Sequence, residues 1–227
     1  MARLNHACSS AFNVVYSWRE KEGVLVVFAL KNIGKGQELL TTYTDTKKSR
    51  DDRRAYLRHQ YSFHCTCNVC SLADDESQQS DKRLMTMSEL HGRFVTWGSG
   101  AIDGEEAIGF VKRIWEVGDE EGYWSERGRL AADAAWVAAA HQDAASLQAW
   151  AKVAEEWFGY EVGVDSVQVE EMRAVQARPE SHTAWGNRLA MRVPTPYDLL
   201  LECWSGRDRG KLRYLDLVSG FRRLSCV

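Results

Sequence analysis

The hydrophobic pattern near the N-terminus is typical of short β-strands. Residues 13–18 are rich in β-branched and aromatic side chains, and residues 39–43 have a similar character. Between them, residues 24–30 form an unbroken apolar run, which predicts a buried strand. Turns are predicted at Glu22–Gly23 and at 34–36, where glycines interrupt the pattern. The chain is therefore expected to begin with a small β structure.

A helix is predicted to begin at Ser49. Asp52 lies three residues later, which resembles a capping box with Asp in place of Glu. Leu57 and Tyr61 then give an apolar pair at i, i+4 spacing. Lys and Arg outnumber Asp in residues 47–63, and two explanations remain open. The segment either faces an acidic partner or is a solvated helix face, and the second explanation is the simpler one.

The C-terminal part of the chain has apolar side chains at helical spacing. The segment before it, residues 72–83, is polar and acidic and is predicted to be a linker. Short breaks between the helical segments predict antiparallel hairpins with the tryptophans inside, without a clean repeat of about 34 residues. Four helices are predicted: Glu105 to Val117, Glu126 to Ala140, a helix capped by Asp143 that runs to Tyr160, and Ser166 to Ala177.

Composition adds few constraints. The 227 residues are 44% hydrophobic and 27% charged, with a net charge of −3, so a packed core is expected and nucleic-acid binding is not. No apolar run approaches the roughly 18 residues that span a bilayer, and the first ten residues lack the apolar segment of a signal peptide. We therefore expect an intracellular protein without membrane contact, in a compartment where clustered cysteines favour metal binding over disulfides.

Three of the six cysteines lie within six residues, at C-x-C-x2-C spacing: Cys65, Cys67 and Cys70. A structural zinc site needs four ligands in a tetrahedron, so a fourth ligand must come from elsewhere in the chain. Cys8 is the best candidate for it, while His6 and His64 are weaker ones. The spacing alone thus favours a zinc site over three incidental cysteines.

Several motifs together resemble the SET-domain methyltransferases. Residues 5–8 read N-H-x-C, Asn13–Val14 follow, and 36–39 with Tyr43 resemble the family's G-E-E-L-x-x-x-Y segment. Ser10 is a departure, because proline is common at this place. The arginines, aromatic residues and cysteines of 50–70 resemble the post-SET segment R-x-x-R-R-x-x-L-x-x-x-Y-x-F-x-C-x-C-x-x-C. The resemblance covers about residues 2–71 and is strongest to the fungal and SET-MYND-like group.

The resemblance implies an α+β organisation in four parts. A partial SET fold of short strands, with a zinc-bound post-SET loop, would be followed by a hairpin-like α-helical domain. The boundaries that we assign are 1–46 for the C-terminal half of the SET domain, 47–71 for the post-SET helix and zinc loop, 72–83 for the linker, and 84–227 for the helical domain.

The resemblance also implies the chemistry. S-adenosylmethionine would be the cofactor, and the amine of a lysine in a histone or non-histone protein would accept its methyl group. Asn5 and His6 would hold the cofactor, Phe63 would line its pocket, and Tyr43 would be the catalytic tyrosine. Zinc would join Cys8 to the three clustered cysteines and fold the post-SET loop over the cofactor. Its binding energy would then contribute to folding.

Relatives carry a glycine-rich cofactor segment well before the N-H-x-C motif, and here that motif begins close to Met1. With the N-terminal SET half missing, the sequence as written is expected to be weakly active or inactive. The alternative is a non-enzymatic, zinc-containing protein-interaction module whose helical surface binds a protein partner. Either function suits the nucleus or the cytoplasm. A zinc-ribbon nucleic-acid binder fits an acidic chain poorly.

Overall fold

The computed structural model of the chain describes residues 4–20 and 22–203. The part of the predicted helical domain after residue 203 lies outside these described residues. Short strands precede a series of helices, which confirms the predicted α+β class. The strands are β1 (Asn5–His6), β2 (Val14–Arg19), β3 (Val24–Ala29) and β4 (Leu40–Thr41). The helices are α1 (Arg50–Tyr61), α2 (Asp74–Val95), α3 (Gly104–Glu121), α4 (Arg127–Ala140), α5 (Ala144–Glu161), α6 (Val167–Ala177) and α7 (Pro196–Cys203).

The strands form two small sheets that Asn13 holds together. β1 and β4 are parallel, and β2 and β3 are an antiparallel pair in which Val14 lies opposite Ala29. The Asn13 side chain donates to the carbonyl of Glu38 at 2.9 Å and accepts from the amide of Leu40 at 2.8 Å. Asn13 thus bonds the start of β2 to the chain entering β4, which fixes the position of β1 beside them.

Residues 24–30 were predicted to form a buried strand. The strand is present, but the prediction that it is buried is wrong. The strand exists as β3, but Val24 is 47% exposed and Val27 is 39% exposed. Successive side chains of a strand point to opposite faces, so Val27 and Ala29 share one face, and this face is turned to solvent. Val24 lies on the other face and is exposed because it starts the strand next to the turn. The apolar run therefore predicted the strand correctly and its environment incorrectly.

Helix α1 begins as predicted. The Ser49 hydroxyl oxygen accepts from the amide of Asp52 at 3.2 Å, and the helix ends at Ser62 in a left-handed conformation. Its basic side chains are directed toward the protein rather than only toward solvent. Arg50 pairs with Asp74 at 2.7 Å, and Arg53 pairs with another aspartate of α2 at 3.0 Å. The positive charges of Arg50 and Arg53 are therefore balanced within the molecule.

The linker predicted over 72–83 is mostly the beginning of α2. Three acidic residues occupy the first turn, where the helix dipole stabilises negative charge. Ser77 and Ser80 are buried, so part of the polar surface of this segment packs inside. Ser80 donates to the buried carboxylate of Glu121 at 2.6 Å. The polar composition predicted a linker, but the segment is helical. Its buried polar side chains have hydrogen-bond partners that are distant in sequence and are brought close only by the fold.

The later helices agree with the predicted segments to within a few residues. Asp103, Asp143 and Ser166 each cap a helix by accepting a main-chain N–H bond. Helices α4 and α5 pack together across a short connection, as do α5 and α6. The prediction of buried tryptophans holds for Trp97, Trp150 and Trp157 but not for Trp136, which is 48% exposed. The core that contains Trp97 and Trp150 also includes Ala7 and Phe12, so the N-terminal segment and the helices share one continuous interior.

Candidate metal centre and adjoining aromatic site

The fold brings together four cysteines that are distant in sequence. Cys8 follows β1, whereas Cys65, Cys67 and Cys70 lie in the turn after α1. Their sulfur atoms all lie within 4.8 Å of one another, and those of Cys8 and Cys70 are 3.7 Å apart. Zinc bound tetrahedrally at about 2.3 Å from each sulfur would require sulfurs about 3.8 Å apart. The four side chains therefore fit a zinc ion in their chemistry and in their spacing.

The loop that carries the cysteines is held by hydrogen bonds to its main chain. Arg54 of α1 donates from Nε to the carbonyl of Cys65 at 3.2 Å and from Nη2 to that of Cys70 at 2.7 Å. The amide of Cys8 donates to the sulfur of Cys67 at 3.4 Å, as expected for a thiolate that ligates a metal. These bonds orient the sulfurs independently of any ion.

The four thiols perturb one another strongly. Hydrogen bonding with Cys65 raises the pKa of Cys8, lowers that of Cys67, and lowers that of Cys70 to about 7. Four thiolates this close together repel each other, so they cannot all ionise unless a cation lies between them. A divalent ion supplies that charge, which again suits zinc.

His6 contacts the cysteine cluster without belonging to it. Its Nδ1 accepts from the main-chain amide of Tyr43 at 3.0 Å, so the ring proton must lie on Nε2. Nε2 is 3.1 Å from the sulfur of Cys8 and therefore donates to it. Of the two weaker ligand candidates, His64 contacts Arg58 at 3.1 Å instead. Among the described residues, the group suited to hold a metal consists of the four cysteines.

An aromatic cluster lies directly beside the cysteines. The rings of His6 and Tyr43 are 5.3 Å apart between centroids, and those of Tyr43 and Phe63 meet edge to face at 6.4 Å. Tyr61 packs on Tyr43 at 5.1 Å. The structure thus brings together three of the four residues predicted to surround the cofactor and substrate. It adds the ring of Tyr61, which the sequence placed in the predicted helix and the post-SET motif but not in the site.

Two polar groups complete this surface. The hydroxyl of Tyr43 donates to the main-chain carbonyl of Leu4, which fixes its orientation. Asn5 is exposed, and its amide nitrogen donates to Glu38 at 2.6 Å. The contact with Glu38 was not anticipated, although this glutamate belongs to the quoted G-E-E-L-like segment. Asn5 and Tyr43 lie on β1 and just after β4, which pair with each other.

Comparison with known proteins gives this site a context. The sequence model of the SET domain matches residues 1–44. Residues 1–44 are therefore similar to part of a SET domain. The Schizosaccharomyces pombe "Histone-lysine N-methyltransferase set5" is 31% identical over 42% of the chain, and the mouse "Histone-lysine N-methyltransferase SMYD3" is 32% identical over 39%. The zebrafish "N-lysine methyltransferase SMYD2-B" is 39% identical over 31% of the chain.

The matched segments are 27%, 19% and 15% of the lengths of these three relatives, so the chain spans only a small part of each. The SET-domain match covers the strands, Asn5, His6, Cys8 and Tyr43. This part of the protein is thus similar to lysine methyltransferases of the Set5 and SMYD group. Within the described residues, no helix has the length and apolar character needed to cross a membrane.

Proposed function

We propose that this chain contributes one wall of an S-adenosylmethionine-dependent protein-lysine methyltransferase site, closed by a zinc-bound loop. The observation that carries the proposal is the convergence of His6, Tyr43 and Phe63 at the edge of the four-cysteine cluster. The substrate would be a lysine side chain of a histone or another protein. The protein would act in the nucleus or the cytoplasm, without direct contact to nucleic acid or membrane.

Asn5, His6 and Phe63 would bind the cofactor. The side-chain amide of Asn5 is exposed and offers both a donor and an acceptor to a polar ligand. Phe63 is half-buried and presents an aromatic surface, which suits a flat heterocycle or a cation. When bound, S-adenosylmethionine would supply a methyl group on a positively charged sulfur.

Tyr43 would orient the lysine amine. Its hydroxyl proton is donated to the carbonyl of Leu4, so the oxygen lone pairs remain available to accept an N–H bond. An amine held in this way points its own lone pair in a defined direction, and such alignment accounts for much of the rate of a displacement reaction. The main-chain amide of Tyr43 is also bonded to His6, which fixes the residue at both ends.

Zinc would act structurally, and Cys8, Cys65, Cys67 and Cys70 would hold it. Four cysteine ligands leave no open coordination position, so the ion would not take part in the chemistry. It would instead hold the turn that follows α1 against β1. Because Phe63 lies two residues before Cys65, the same linkage positions this aromatic wall.

The proposal is tested by NMR titration of the zinc-loaded chain with S-adenosylmethionine. We expect shifts confined to the amides of residues 4–7, 41–43 and 61–65. Phe63→Ala should remove these shifts, whereas Asn187→Ala, which alters an exposed asparagine in the helical part, should leave them unchanged. Shifts elsewhere, or none while zinc stays bound, would contradict the proposal and favour the non-enzymatic interaction module.

Methyl transfer is tested separately with radiolabelled S-adenosylmethionine and a histone mixture. Where transfer is measurable, Tyr43→Phe should reduce it by at least about tenfold, because a lost orienting hydrogen bond of about 1.4 kcal/mol in the transition state has that effect. If the Tyr43→Phe variant transfers methyl groups as fast as the unmodified chain, Tyr43 has no role in the reaction.

A further inference from the structure

We propose that Arg53 is a positioning residue for the metal centre, where its guanidinium offsets the negative charge of a zinc ion bound to four thiolates. This inference rests on the zinc site proposed above. Nothing in the spacing of the cysteines indicates which residue supplies the positive charge. Three observations identify Arg53: its burial, its N–H groups that lack an acceptor in the described part of the chain, and its position one turn from Leu57, which packs on the cysteines.

Arg53 is the largest fully buried side chain of the described residues, with 0% exposure. It lies one helical turn before Leu57, which packs in a cluster with Cys8 and Cys70. A buried arginine normally uses its five N–H groups. Here Nη1 donates to Asp81 at 3.0 Å and to the carbonyl of Lys48, but Nε and Nη2 have no acceptor among the described residues. Part of the guanidinium charge is therefore not neutralised by hydrogen bonding.

The metal centre requires such a charge. A zinc ion with four thiolates carries a net charge of about −2, and a buried charge that has no counter-ion is strongly unfavourable. Burial acts to lower the pKa of Arg53 and the charges of Cys8 and Cys70 act to raise it, which agrees with a guanidinium within electrostatic range of two of the proposed ligands. The ring of His6 accepts at Nδ1 and donates at Nε2, so it is neutral and contributes a hydrogen bond rather than a charge.

The other cation near the site has a different task. Arg54 donates to the carbonyls of Cys65 and Cys70 and is only half-buried, so solvent screens its charge. Asp81 is 19% exposed and engages one nitrogen of Arg53, so it can hold the guanidinium in place without cancelling all of its effect. Of these two arginines, Arg53 is the one that combines complete burial, a fixed position and unused N–H groups.

The inference is tested by measuring zinc affinity with a competing chromogenic chelator. We expect Arg53→Met to weaken zinc binding by about 10- to 100-fold, the usual effect of removing a group that supports a metal ligand. Arg53→Lys, which keeps the charge, should weaken it less. Arg58→Met, a matched change at an exposed position of α1, should have no effect.

Asp81→Asn separates charge from anchoring, because it removes the ion pair with α2 while the guanidinium keeps its own charge and its bond to the carbonyl of Lys48. We expect its zinc affinity to remain within about twofold of the unmodified chain. An equal loss in Asp81→Asn and Arg53→Met would overturn the inference and assign Arg53 to anchoring. If Arg53→Met does not fold, cobalt affinity is measured instead for Arg53→Lys and Asp81→Asn. An equal loss of cobalt affinity in both variants would mean that Arg53 only anchors the fold, and would overturn the inference. Unmodified chain without bound zinc would overturn the metal site itself, whereas bound zinc insensitive to Arg53 would overturn this inference alone.

Discussion

Replacing Cys8 with serine should separate the first strand from the zinc loop. Cys8 is fully buried, and its sulfur lies 3.7 Å from that of Cys70. Cys8 also stands apart from the other three cysteines in sequence, since Cys67 follows it by 59 positions. Serine fits the space but is a poor zinc ligand, so the substitution removes the crosslink with little change in packing.

The magnitude follows from the length of the closed loop. A crosslink between positions about 60 residues apart stabilises a fold by about 4 kcal/mol, because it reduces the entropy of the unfolded chain. For a chain of roughly 200 residues, 1 kcal/mol corresponds to about 2–4 °C in the unfolding temperature. Cys8→Ser should therefore lower the unfolding temperature by about 8–16 °C, and the loss of ligand-derived folding energy would add to this.

The assay combines metal analysis with thermal unfolding. The unmodified chain should contain about one zinc per molecule, and Cys8→Ser and Cys67→Ser should each retain much less. Cys226→Ser, which removes a cysteine outside the proposed ligand set, is the control and should keep the metal. Unchanged zinc content and unfolding temperature in Cys8→Ser would refute the assignment of this residue as the fourth ligand.

Three further predictions concern the helices. Trp157→Ala should cost about 3–5 kcal/mol in denaturant unfolding because the ring is buried, whereas Trp136→Ala at an exposed site should cost far less; equal costs would contradict the packing. Gly128→Ala should destabilise the chain despite the higher helix propensity of alanine, since its Cβ would lie 2.9 Å from the main-chain nitrogen of Phe158; a rise in unfolding temperature would count against this. Burial raises the pKa of Glu161 to about 7 from its ordinary 4.5, so the folded state holds this proton more tightly and stability falls as pH rises between these values; Glu161→Gln should reduce that fall, and identical pH profiles would contradict it.

The helices and the cysteine set could be predicted because both depend on local or chemically specific signals. Asp143 caps a helix as predicted, since a side-chain oxygen placed just before an apolar stripe has one favourable use. Ser166 was predicted as the first residue of its helix and is the N-cap. The choice of Cys8 over His6 as the fourth cysteine-cluster member came from residue chemistry and the resemblance. The sulfurs do converge at that point, although the ion itself remains a prediction.

Burial was harder to predict than secondary structure. The composition of residues 24–30 is that of an interior strand, yet half of β3 faces solvent because its neighbours are set by chain topology. The acidic start of α2 was predicted to be a linker because its composition is polar. Its buried Ser80 bonds to Glu121, 41 positions away, and no local sequence pattern reveals such a partner. The same limit applies to the tautomer of His6, which depends on an amide 37 positions away.

The helices also determine how firmly the candidate site is held. The buried carboxylate of Glu121, at the end of α3, accepts from Ser9 at 2.7 Å, from Ser80 at 2.6 Å and from Arg83 at 2.9 Å. Ser9 directly follows the proposed zinc ligand Cys8, so one carboxylate connects the first strand segment to both α2 and α3. A buried carboxylate with three donors is costly to disrupt, because removing any partner leaves a charge or dipole unsatisfied. The site is therefore fixed from two directions, by the cysteines on one side of Cys8 and by the helices on the other, and its geometry depends on the helical part as much as on the SET segment.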